Sequence, residues 1–179
     1  AHSVNATVAN NRLLRHAETG IKFDQGTGTS NGVRVTGNYV FDCAGSTAMG
    51  IEGIGSSSNL LVENTVDSCG CAGIYANGLS SGFIRNNRIT GVRMYGLVLD
   101  QSTDMLVYGN AVAGPDTAVY VTAASTGDTI VKNNLSSLSG VLVRNDAEAV
   151  ALQRNWLGGT DTVVLGATLA GAAANLLNW

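Results

Sequence analysis

The sequence predicts an all-β chain wound into a single-stranded parallel β-helix of seven to eight rungs. Three observations carry that expectation. An apolar residue recurs three places before an asparagine along the whole chain. A short run of Val, Ile and Leu, usually led by glycine, follows most of these asparagines. Neither the 3.6-residue periodicity nor the capping chemistry of helices appears in the interior.

The asparagine signal reads "VANN" to Asn11, "VTGN" to Asn38, "LVEN" to Asn64, "IRNN" to Asn87, "VYGN" to Asn110, "VKNN" to Asn134 and "LQRN" to Asn155, with "AAAN" to Asn175 as an eighth. Its spacings are 27, 26, 23, 23, 24, 21 and 20 residues. A drifting period fits a coil in which extra residues loop out at a turn, whereas ankyrin-like repeats need about 33 residues and two helices. Stacked on successive rungs about 4.8 Å apart, asparagine amides can donate and accept along the coil. The turn they occupy would otherwise bury unpaired polar groups at roughly 1–3 kcal/mol each.

The second signal comprises Gly20-Ile21-Lys22-Phe23, Gly50-Ile51-Glu52, Gly73-Ile74-Tyr75-Ala76, Gly96-Leu97-Val98-Leu99, Ala118-Val119-Tyr120-Val121, Gly140-Val141-Leu142-Val143 and Val163-Val164-Leu165. Each reads as a short strand bounded by turn residues. The leading glycine is expected to supply backbone angles closed to other residues. Alternation turns Ile21, Phe23, Ile51, Ile74, Ala76, Leu97, Leu99, Val119, Val121, Val141 and Val143 inward. Gly53 stands where Phe23 stands one rung earlier, which raises a bulge there.

Composition bounds the rest. The 179 residues are 45% hydrophobic but only 6% aromatic, with 23 glycines and 13% charged residues, so the core is built of small aliphatic side chains. Residues 1–179 read as one domain. A net charge of −3 without a basic block excludes a nucleic-acid face. No apolar run reaches the ~18 residues of a membrane span. The chain enters its first asparagine turn at once, which reads as a segment of a longer protein. At the other end, "LGATLAGAAANLLNW" reads as a last small rung or as a helical cap using Leu169, Ala173 and Leu176.

Cys43 and Cys69 lie five residues after their asparagines, so they should stack one rung apart with Cα atoms ~5 Å from each other, within disulfide range. A reduced buried pair is the favoured alternative, and Cys71 could compete for either partner. The three cysteines lack metal-ligand spacing, so neither a metal nor another cofactor is expected. Gly26 to Gly32 lacks the Lys-Ser/Thr ending of a phosphate loop. Asn5-Ala6-Thr7 and Asn134-Leu135-Ser136 match the glycosylation acceptor pattern, the second expected to be buried in the ladder.

With its "V/I-x-x-N-x-V/I … G-I-x-V" pattern, nearly the whole chain resembles the right-handed parallel β-helix repeat proteins: pectate and alginate lyases, mannuronan C5-epimerases and phage tailspikes. The resemblance implies that the Gly-Ile strand forms a first sheet and that the asparagine turn joins the second sheet to the third. It also implies a polysaccharide partner, an extracellular or virion-surface location and, on the tailspike pattern, a homotrimer. The Asp-Pro-His segment of the epimerases is missing here.

Outward residues of the first sheet then form two rows. One is Lys22, Glu52, Tyr75, Val98, Tyr120 and Leu142; the other is Asp24, a position near Ile54, Asn77, Asp100, Thr122 and Arg144. Tyr75, Asn77, Asp100, Tyr120 and Arg144 suit a glycan groove, rings stacking on sugars and polar groups binding hydroxyls. Asp24 and Glu52 sit on adjacent rungs at roughly 8 Å, inside the separation of inverting glycosidases, and are the candidate catalytic pair. Arg15-His16-Ala17-Glu18 offers a base beside them. The favoured function is a polysaccharide-recognising segment; the alternatives are a lyase, hydrolase or epimerase, and an architectural spacer.

Overall fold

The computed structural model describes residues 5–24, 31–138, 141–147 and 150–157, and the backbone of Leu169–Gly171 and Ala174–Leu176. Every named strand pairs in parallel with the equivalent strand one rung away, giving three sheets that run the length of the coil. Sheet A holds seven strands, from Ile21–Asp24 through Met49–Ile54, Ala72–Asn77, Tyr95–Asp100, Thr117–Val121 and Val141–Asn145 to Leu169–Gly171. Sheet B holds eight short strands, including Leu60–Val62, Phe83–Arg85 and Leu106–Tyr108. Sheet C, which follows the asparagine turn, holds six, from Arg12–His16 to Asn134–Leu135. Six rungs carry all three strands, and further strands of sheets A and B extend beyond them, in line with the predicted seven to eight.

One rung shows why the chain can turn so sharply. Gly78, Ser81, Asn86 and Gly91 have φ of 62, 50, 54 and 63°, and the pattern repeats on the next rung at Gln101, Asp104, Gly109 and Gly114. Single left-handed residues thus make the corners, at roughly 1–2 kcal/mol for a residue other than glycine. Asn86, the first asparagine of "IRNN", is such a corner, and Asn87 is the ladder residue.

The ladder is continuous from Asn11 through Asn38, Asn64, Asn87, Asn110 and Asn133 to Asn155. Each Oδ1 accepts from the backbone N–H of the asparagine one rung earlier and from its Nδ2, as Asn87 does from Asn64 at 2.9 and 3.0 Å. The predicted member Asn134 is displaced by its neighbour Asn133. Ile130, not Val131, is the fully buried residue three places before the turn. Asn134 instead starts a strand of sheet C with its side chain exposed, so the Asn134-Leu135-Ser136 acceptor is not buried at its asparagine. Asn175 also leaves the ladder, because it pairs with Ala151 inside a sheet-B strand.

The glycines that lead sheet A have a different task from the one predicted. Gly50, Gly73 and Gly96 are absent from the positive-φ residues. A Cβ at Gly73 would instead meet the Ile89 side chain and come 2.7 Å from the Gly96 carbonyl oxygen. Packing against the neighbouring sheet and rung, not backbone freedom, selects glycine there. Gly53 shows a related complementarity: it pairs with Phe23 in unbroken register, without the expected bulge, and the Phe23 ring fills the space a Cβ would take.

The last full rung shifts by two residues relative to the predicted alignment. Val143 pairs with Val119 and Arg144 with Tyr120, so Leu142 takes the Ala118 position and is buried, while Val141 is only half-buried. At the far end, Leu169–Gly171 and Ala174–Leu176 are strands, which removes the helical cap. Val163 to Leu165, Ala173 and Gly26 to Ser30 lie outside the described residues.

Candidate functional site on the outer face of sheet A

The register brings most predicted groove residues onto one face. Glu52, Tyr75, Val98, Tyr120 and Arg144 form one row, and Asp24, Ile54, Asn77 and Asp100 form the next. Arg144 therefore belongs to the tyrosine row, where Leu142 was expected. Val98 faces outward yet is only 3% exposed, as an aliphatic side chain can be when longer ones on either rung close over it.

Asp100 is the hub of the face. The Tyr75 hydroxyl donates to its Oδ2 at 2.6 Å, and Thr122 Oγ1 donates to its Oδ1 at 2.8 Å. Burial, followed by the bond to Asp100, pushes the Tyr75 hydroxyl up from its ordinary range, so it stays a donor. Toward the C-terminal end, Arg144 Nη2 lies 2.9 Å from Asp146 Oδ2, and the Tyr120 hydroxyl donates to the same oxygen at 3.0 Å. Arg144 holds the Asp146 carboxyl below the usual carboxylate range, while burial and Asp146 raise Tyr120.

Tyr120 offers less stacking surface than expected. Its ring lies 5.4 Å from that of Tyr95, nearly parallel, and the Arg144 guanidinium sits 4.7 Å from its centroid. With neighbours of both kinds, it contributes its hydroxyl and ring edge. Tyr95 and Asp146 were missed in the sequence: Tyr95 precedes the Gly96 taken as the start of its strand, and Asp146 emerges only when Leu142 is aligned with Ala118.

The predicted catalytic residues occupy adjacent strands, with Lys22 paired to Glu52 and Asp24 to Ile54. Lys22 Nζ lies 3.2 Å from Glu52 Oε2, and the Glu52 side chain is only 14% exposed. His16 is not beside them. It ends a strand of sheet C, and its Nε2 is buried without a hydrogen-bond partner. In that column His16 pairs with Cys43 and Cys43 with Cys69. Both cysteines are free and buried, and the neighbouring sulfur holds the Cys43 thiol below its ordinary value and pushes that of Cys69 up.

Three parallel sheets, an internal asparagine ladder and a polar outer face define a parallel β-helix protein. A family profile described as periplasmic copper-binding protein (NosD) matches residues 1–166, and the chain belongs to that family. Among solved structures, a mutant of the periplasmic alginate epimerase AlgG superposes with a TM-score of 0.69 at 15% identity, over 98% of this chain and 46% of that one. This chain thus spans under half of that protein's length, and the likeness establishes the right-handed β-helix fold. The plasmid-mediated fluoroquinolone resistance protein QnrB1 aligns over 97% of this chain and 94% of its own at 10% identity, but its TM-score of 0.18 is too low for a shared fold. No curated protein sequence matches the chain.

The family description names copper. Among the described residues no three His, Cys, Asp or Glu side chains gather into a preformed metal centre. His16, Cys43 and Cys69 stand in one column, and the His16 Nε2 is without a hydrogen-bond partner.

Proposed function

We propose that the chain is a polysaccharide-binding β-helix working outside the cytoplasm, with its glycan laid along sheet A. The observation that carries this reading is the Asp100 cluster: a carboxylate fixed by Tyr75 and Thr122 on a rigid sheet, with Asn77 on the same strand-end row. Prepaid ordering of such groups favours binding of a polymer rich in hydroxyls. The face carries four acids, Asp24, Glu52, Asp100 and Asp146, against two bases, Lys22 and Arg144. That excess of two negative charges favours a neutral or amino-sugar polymer over a polyuronate. The matching family is described as periplasmic and so is AlgG, which supports the location. A tailspike body and a homotrimer have no such support beyond the shared fold.

Affinity electrophoresis against neutral, amino-sugar and uronate polysaccharides tests the reading. Retardation by one of the first two classes, weakened at least tenfold by Asp100→Ala and unaffected by Phe83→Ala on sheet B, is expected. Binding that Asp100→Ala leaves intact would overturn it. Asp24 and Glu52 remain the proposed pair for a degrading or epimerising activity; if Asp24→Ala and Glu52→Ala leave such an activity unchanged, that role is excluded. A second reading, copper binding, follows from the family description and is favoured by the thiol column.

A further inference from the structure

Sheet C presents an outer face of two rows. One is Arg12, Tyr39, Thr65, Arg88, Ala111, Asn134 and Trp156; beside it run Leu14, Phe41, Asp67, Thr90 and Ala113. Large rings stand at both ends, with short side chains and one arginine between them. The rings of Tyr39 and Phe41 are parallel within 8°, their centroids 6.3 Å apart. Trp156, at the far end of the same row, is 54% exposed. At about 4.8 Å per rung the two ends lie roughly 24 Å apart. Arg12 covers the Tyr39 ring from the rung before, 5.5 Å from its centroid, but Thr65 on the rung after is too short to cover the other face. Sheet A has less ring surface to offer, because Tyr95 and Arg144 already occupy Tyr120.

Charge decides what such a face would hold. Its two rows carry Arg12 and Arg88 against Asp67, the reverse of the acidic excess on sheet A. Arg12 is engaged with Tyr39, and Asp67 accepts from Ser68 Oγ at 3.0 Å. Arg88 stands exposed between the aromatic ends, and among the described residues no carboxylate lies within ion-pair distance of it. A guanidinium is a planar fork of donors matched to a carboxylate, and an aromatic ring gives the apolar face of a sugar a flat surface to lie on. We propose that sheet C is a second binding track, for an acidic polysaccharide laid along the coil axis, with sugar rings against Tyr39, Phe41 and Trp156 and a carboxylate on Arg88. Thr90, Ala111 and Ala113 are the floor over which the polymer passes. The track shares no residue with the Asp100 cluster, and neither site depends on the other.

The test is affinity electrophoresis and fluorescence titration with polygalacturonate and hyaluronate, each beside its carboxyl-reduced neutral form, on a Trp179→Phe background that leaves Trp156 as the reporter. Retardation by at least one acidic polymer is expected, weakened by salt and by carboxyl reduction, together with a shift in Trp156 emission. Arg88→Gln should weaken that binding about tenfold through loss of a charge-assisted bond pair. Trp156→Ala and Phe41→Leu should each weaken it about fivefold through loss of a ring, and Asp100→Ala should leave it unchanged, circular dichroism confirming that each variant is folded. Acidic-polymer binding that Arg88→Gln and Trp156→Ala leave intact, or that Asp100→Ala abolishes, would overturn the track. Retention of neither acidic polymer would overturn it as well, while neutral or amino-sugar binding through Asp100 would still stand. Acidic binding lost in the sheet C variants, with no neutral or amino-sugar polymer bound at all, would support this track and remove the sheet A reading. Equal binding of the acidic and carboxyl-reduced forms would overturn the assignment of an acidic ligand.

Discussion

Asn133 and Asn134 are adjacent, chemically identical and, by geometry, opposite in worth. Asn133 Oδ1 accepts from Asn110 N and Asn110 Nδ2, both at 2.9 Å, while its Nδ2 donates to Val107 O, Val131 O and Asn155 Oδ1. Asn133→Ala would orphan the buried Asn110 N–H. It would also strip one partner from Asn110 Nδ2, which keeps Ile84 O at 2.8 Å. One fully unsatisfied donor at roughly 1–3 kcal/mol and weakened bonds nearby at about 0.5–1.5 kcal/mol each give a loss of about 2–5 kcal/mol. For a chain of this size that lowers Tm by roughly 4–20 °C. Asn134 is exposed at its strand start, so Asn134→Ala should stay within about 0.5 kcal/mol of the parent. Urea unfolding followed by circular dichroism measures both. Equal destabilisation by the two substitutions would refute the ladder register.

Other outcomes follow from the same packing. Gly73→Ala should cost about 1–3 kcal/mol despite an ordinary backbone angle, because the new methyl meets Ile89 and the Gly96 carbonyl; a neutral result in thermal melts would contradict the close-approach reading. Asp128 is 1% exposed, accepts from Ser102 Oγ at 2.6 Å and Met105 N at 2.9 Å, and is pushed up mainly by burial. The folded state holds its proton more tightly than the unfolded chain. Stability from this group is therefore complete below the unfolded carboxyl range and lost as pH rises through the folded value. Asp128→Asn should remove that slope, as pH-dependent melts would show; an unchanged slope would count against it. Asn59 occupies the equivalent corner and accepts from Val33 N, but its Nδ2 is buried without a partner.

The coil was legible because it is written twice, once in inward aliphatics and once in asparagines. Where the two signals agree, as at Leu61 with Asn64 or Ile84 with Asn87, the sequence alignment and the observed register coincide. It slipped where a decoy stood beside the true residue. "VKNN" contains two valid asparagines, and burial of Ile130 rather than Val131 chooses between them. Gly140 imitated the leading glycine, whereas the position belongs to Leu142, and that slip hid Asp146 from the Asp100 row. The glycine explanation failed for a different reason: close approach to a neighbouring rung is a property of stacked backbones and has no local sequence signature. His16 was placed beside Asp24 and Glu52 for the same reason, since only the cross-rung pairing with Cys43 sets it in sheet C.

Three successive ladder bonds span 23 residues each, from Asn64 to Asn87, Asn110 and Asn133. Two positions separated by that interval stand above one another at equivalent points of the coil. Recombination between them would excise or duplicate a rung without leaving a mismatched joint. The length of the molecule is therefore quantised in steps of about 4.8 Å, and any ligand that lies along its axis meets a surface whose reach changes by whole rungs.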